Sequence, residues 1–130
     1  MEKELNNTTT VVGNYNDIPT SITSYVSIVT MISGLTVVKV ADKQNWADGD
    51  LKYTITVTNS AEKPYTSPKI TDIIDTSLVE FIPNSVYINS TLATEDEYNF
   101  DDASSTLTIN LKDIAVSTST VVEFKVRKKE

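Results

Sequence analysis

Any chemistry in this chain has to come from lysine, carboxylate and carboxamide side chains, because its 130 residues include neither cysteine nor histidine. Their absence removes disulfides, thiol nucleophiles, imidazole bases and nearly every transition-metal site together. Serine and threonine are plentiful, but without histidine or a Gly-x-Ser-x-Gly turn they have no activating base. Amide chemistry is what remains. Lys39 and Asn59 lie at opposite ends of strands that are expected to be neighbours, and such a pair can form a lysine–asparagine crosslink. That step needs a buried, neutral lysine and a carboxylic acid that polarises the amide. Glu80, Asp72 and Asp50 are the acids that would serve. The alternative is that Lys39 and Asn59 hold loops by hydrogen bonds.

Acidic residues form the second constellation. Glu95, Asp96, Glu97, Asp101 and Asp102 are the densest group, and a hard cation such as calcium takes several oxygen ligands from loops of this kind. No Asp-x-Asp-x-Asp-Gly spacing is present, so a solvated acidic loop is the competing reading. Asp48 and Asp50 with Asp72 and Asp75 raise the same two readings. Tyr15, Tyr25, Trp46, Tyr65, Tyr87 and Tyr98 are scattered without a common strand face, so the spacing frames no carboxylate pair for glycoside chemistry. The sequence leads us to expect no enzymatic activity and no cofactor other than that calcium.

The elements that would position these residues are strands. Leu51, Tyr53, Ile55 and Val57 alternate with Lys52, Thr54, Thr56 and Thr58, the period of a half-buried strand. Leu35 to Ala41 ahead of it is apolar on both faces, and Asp42 to Asp50 between them carries turn residues. Lys69 to Ile74 is a short strand anchored by Ile70, with Thr71 and Asp72 expected to face solvent. Leu78 to Ile82 follows, then Ser85 to Leu92 with Val86, Ile88 and Leu92 inward, then a short strand at Tyr98 to Phe100. Leu107, Ile109 and Leu111 form one inward face, and Val122, Phe124 and Val126 another. The fold class is all-β: an immunoglobulin-like antiparallel sandwich of about seven to eight strands. The Cys…Trp…Cys hallmark of antibody domains is missing, and Trp46 lies in a turn.

Residues 1–33 read as an extended N-terminal arm and 34–130 as the domain. The arm has two extended stretches, Thr8 to Val12 and Ser21 to Ile32, separated by a turn over residues 13–19. Ile22, Val26, Ile28 and Ile32 share one face of the second stretch, with Val29 on the other. A strand apolar on both sides presents free backbone groups and apolar area together and needs a partner. It is expected to add to a neighbouring copy, giving a head-to-tail homopolymer, or else to fold back on its own sandwich or to be a disordered remnant of a cut array. Ile22, Val26, Ile28, Val29 and Ile32 are the expected assembly residues.

The motif residues resemble the repeat domain of bacterial surface proteins called domain of unknown function eleven. They are Lys39, Gly49-Asp50, the run Tyr53-Thr54-Ile55-Thr56-Val57-Thr58-Asn59, Ile70-Thr71-Asp72, and Phe81-Ile82-Pro83-Asn84-Ser85-Val86, in the family's order over residues 34–127. Asn84 stands where a glycine is common, and both residues tolerate left-handed backbone. The resemblance implies an extracellular structural or adhesive repeat, found on cell walls and in clostridial spore appendages. A structural subunit of such an appendage is the favoured reading. An adhesive module or a passive stalk repeat beside neighbouring repeats is the alternative.

The net charge of −7 argues against nucleic acid as a partner, and the basic run Lys125 to Lys129 reads as a solubilising end. No window approaches the ~20 apolar residues that cross a bilayer, so membrane insertion is not expected. The acidic, polar opening Met1 to Asn7 is unlike a secretion signal; an extracellular location then implies a signal removed or not needed.

Overall fold

A computed structural model describes residues 2–24 and 27–130, and the chain divides into two compact units, Met1–Ser33 and Gly34–Glu130. In the first, β1 (Glu2–Asn7) pairs antiparallel with β4 (Ser27–Ile32), and β2 (Thr10–Tyr15) pairs antiparallel with β3 (Ile18–Thr23). The chain reverses at Asn16-Asp17, whose φ angles of 49° and 62° give the two-residue turn that matches strand twist. Asn and Asp accept this left-handed backbone at low cost. The expected separator over residues 13–19 therefore shrinks to two residues, and Gly13, Asn14, Tyr15, Ile18 and Pro19 join the strands. What reads in the sequence as an extended arm is a ribbon paired with itself. Leu5, Val11, Val12 and Ile18 are exposed along it, and a lone two-stranded ribbon is marginally stable in water at best.

The second unit is an antiparallel β-sandwich. In its larger sheet, β5 (Leu35–Ala41) pairs with β6 (Asp50–Asn59), which pairs with β13 (Thr118–Lys128). The far edge of β13 carries β8 (Val79–Phe81) at one end and β9 (Tyr87–Ile88) at the other, with β10 (Thr91–Leu92) beyond β9. The smaller sheet runs β11 (Tyr98–Asp101), β12 (Thr106–Asn110), β7 (Lys69–Ile73).

Alternation explains the core. Leu51, Ile55 and Val57 of β6 and Val122, Phe124 and Val126 of β13 are buried from one side, Leu107 and Ile109 of β12 from the other. Leu111 and Ile114 continue that layer into the following loop, and Val86 and Ile74 fill the ends. The Phe81 ring lies 4.9 Å from Phe100 and 6.5 Å from Phe124, tying β8 to both sheets.

Two inward–outward assignments are corrected. Leu92 is 48% exposed, because Asn89 and Ser90 (φ 48° and 67°) make a two-residue hairpin that restarts the alternation. Ala93 is buried instead, its N–H donating to the Val86 carbonyl. Asp72, expected to face solvent, is only 9% exposed, since it shares the inward parity of Ile70 and Ile74.

Truncating Phe124, fully buried between the layers, is expected to remove about 4 kcal/mol of stability. In Phe124→Ala the denaturant midpoint should fall while the slope stays unchanged.

Candidate functional site: an uncovered strand and the Lys39–Asp72 pair

The two sheets differ in width. Beside β13 and β6 the larger sheet has β8 and β9 on one flank and β5 on the other, whereas the smaller has β11, β12 and β7. Phe81 on Phe100 brings β8 over β11 at one side of the sandwich. At the opposite side, β7 reaches β5 through the Lys39–Asp72 ion pair. Within the second unit, no strand among the described residues is laid across the inward face of β5. Val37 sits opposite the buried Val57, on the core-facing side, and is still 66% exposed. Val38 and Val40, on the other face, are exposed too. Both β5 and β7 end their sheets, so each presents a backbone edge that no strand among the described residues pairs. An apolar strand left in this state is a template for another strand.

A groove of about 660 Å³ opens along this side, lined by Lys39, Trp46, Leu51, Tyr53, Asp72 and Ile74 among others. Exposed Ile73 and Leu78 also border it. Trp46 is half-buried and donates from Nε1 to the Gly49 carbonyl at 3.1 Å, which fixes the turn after β5.

Lys39 is held by three groups. Its Nζ donates to Asp72 Oδ2 at 2.6 Å and lies 4.5 Å from the Tyr53 ring centroid and 5.7 Å from that of Phe124. Asp72 is the buried member and Lys39 keeps 41% of its side chain in solvent. A carboxylate this buried requires a partner, and the lysine supplies it while its charge rests against ring faces.

Lys39 and Asn59 do not meet. Lys39 pairs in register with Ile55, and Asn59 with Leu35, four residues along the ladder, roughly 13 Å at strand spacing. Asn59 is instead a buried staple. Its Nδ2 donates to the Lys63 and Ile114 carbonyls, each at 2.9 Å, and its Oδ1 accepts from the Ala61 N–H at 2.9 Å. Of the three acids named for the crosslink, Asp72 touches Lys39, whereas Glu80 pairs with Arg127 and the Asp50 carbonyl accepts from Lys43.

The acidic group is not assembled into a cation site. Among the described residues no three acidic side chains gather where a metal would sit. Glu95, Asp96 and Asp102 are exposed, and Glu97 accepts the Thr94 N–H at 2.8 Å. Asp101 accepts from Ser104 Oγ at 2.8 Å and from the Ala103 N–H at 3.0 Å, closing the turn before β12. Asp75, from the second acidic set, bonds Ser77, and Asp72 is committed to Lys39.

In the ribbon, Ile22 lies opposite Val11, Ile28 opposite Asn6, Val29 opposite Leu5 and Ile32 opposite Glu2. Val26 falls outside the described residues. The uncovered valines of β5 were not among the expected assembly residues. Their signal was the two-sided apolar run of Leu35 to Ala41, which a fully covered strand would share.

Comparison with known proteins adds no relative: no family model, curated protein or solved structure matches the chain.

Two outcomes follow from these contacts. Asn59→Ala leaves the Ala61 N–H and the Ile114 carbonyl without their partner and should cost about 3 kcal/mol in denaturant unfolding. The Ser104 hydroxyl, then the Ala103 N–H, holds the Asp101 carboxyl below its ordinary 3.8. Its contribution to stability is therefore complete above that ordinary value and disappears as pH falls through the lowered one. An NMR titration should place its midpoint below 3.8, and Ser104→Ala should move it upward.

Proposed function

We propose that the chain is a non-enzymatic structural subunit that assembles head to tail, the ribbon of one copy adding a strand beside β7 and over β5 of the next. The setting is the one its family resemblance implies, a bacterial cell-surface or spore appendage built from immunoglobulin-like units. The observation carrying this reading is Val37, on the core-facing side of β5 yet 66% exposed. Strand addition there would cover apolar area and pair a free backbone edge in one step.

Two features favour a second copy as the occupant. The six-residue strands of the ribbon suit the seven residues of β5 and the five of β7. The ribbon carries exposed apolar side chains and is too small to be stable without a partner. Addition between copies is heterologous and continues until it closes into a ring or runs on as a fibre.

Negative-stain microscopy of the full-length chain beside Val37→Asp tests this. Wild-type chain should form filaments. The exposed substitution should leave unfolding within about 0.5 kcal/mol of wild type, while a charge buried in the new contact weakens association by about a hundredfold. Monodisperse wild-type particles would reject the reading and turn attention to an adhesive or stalk role.

A further inference from the structure

We infer that Lys39 and Asp72 form a bond-forming site that joins neighbouring copies covalently, the third reactant being an asparagine side chain of the incoming ribbon. The inference rests on the strand-addition reading and identifies what that contact does once made. A lysine amine and a carboxyl group are already in hydrogen-bond contact, at 2.6 Å, on the side of β5 that no described strand of the second unit covers. They stand over Tyr53 and Phe124, so the floor of the site is aromatic and apolar. Lys39 keeps 41% of its side chain in solvent. A strand added at β7 would exclude that water. In a dry site, moving the proton from the ammonium to the carboxylate removes two buried charges and leaves an amine beside a carboxylic acid. These are the two groups that amide exchange requires.

The chain's own Asn59 is out of reach and fully bonded, and the electrophile in this reading is brought by the incoming ribbon. The ribbon strands bring carboxamides in Asn6 and Asn7 of β1 and Asn14 of β2. In the reaction the Lys39 Nζ lone pair attacks the side-chain carbonyl carbon of the incoming asparagine while the Asp72 carboxyl donates a hydrogen bond to the carbonyl oxygen. The tetrahedral adduct loses a proton from Nζ to Asp72, and Asp72 delivers a proton to the departing nitrogen. One N–C bond forms, one C–N bond breaks, and ammonia leaves. Asp72 ends as it began, and no oxidant or further reactant is consumed.

The test uses assembled full-length chain, boiled in detergent and run on a denaturing gel, beside Lys39→Arg and Asp72→Asn. Arginine keeps the ion pair with Asp72 but does not act as the nucleophile. Wild type should give a ladder whose dimer band has the mass of two chains less one ammonia. Fragment mass spectrometry should place the bond between Lys39 and a ribbon asparagine. Both variants should still show filaments by microscopy yet boil entirely to monomer. Wild-type filaments that boil to monomer overturn the bond and leave assembly standing, and so does a ladder that survives in Lys39→Arg. A monomer lighter by one water would mean that Lys39 joins Asp72 itself, which also overturns it. Wild-type chain that never assembles overturns both readings.

Discussion

The sandwich depends on the ladder between β6 and β13. Ten register pairs run from Asn59 opposite Thr118 to Asp50 opposite Arg127 without a break. In an antiparallel pair, residues directly opposite share a face, so Leu51, Ile55 and Val57 are forced onto the same side as Val126, Val122 and Thr120. One ladder thereby places much of the core, and β5, β8 and β9 are each attached directly to one of its two members. With no cysteine in the chain, this hydrogen-bonded and apolar contact does what disulfides do in many small extracellular domains.

The unequal width of the two sheets sets the surface chemistry. A core needs to be covered only as far as its apolar side chains extend, and at Lys39 the inward pattern of β5 changes from valine to a charge. An inward-pointing charge on an edge strand commonly protects that edge from unwanted pairing. Here the charge is met by Asp72, so the protection is largely cancelled and the uncovered side retains its apolar character in Val37 and Leu35. If copies associate at this edge, the same lysine guards it before contact and takes part in it afterwards.

Much of the sandwich was legible in the sequence because alternation is a local signal. Ile55, Leu107, Ile109, Val122, Phe124 and Val126 follow it and are buried. Asp72 was misjudged because a carboxylate in a strand reads as solvent-facing when its partner, 33 residues earlier, is not known. Leu92 was misjudged because two left-handed residues inside an apparently continuous run reset its faces. The ribbon lost its true shape for a related reason: residues 13–19 read as one separator marked by Asp17 and Pro19, yet the turn needs only Asn16 and Asp17. As for the candidate site, Lys39 and Asp72 could be named from the sequence, but their contact and the missing strand beside them are facts of topology. No single stretch of chain records which sheet comes up one strand short.

Lys39 lies five positions after Gly34 on β5, the strand the chain enters directly from the ribbon. If copies are joined at that lysine, tension along a fibre passes from one ribbon into Lys39, back along the backbone to Gly34, and out through the next ribbon. The sandwich hangs beside this path rather than within it. Pulling on such a fibre would stretch a covalent line through a handful of residues per subunit, and the core would never be asked to resist the force.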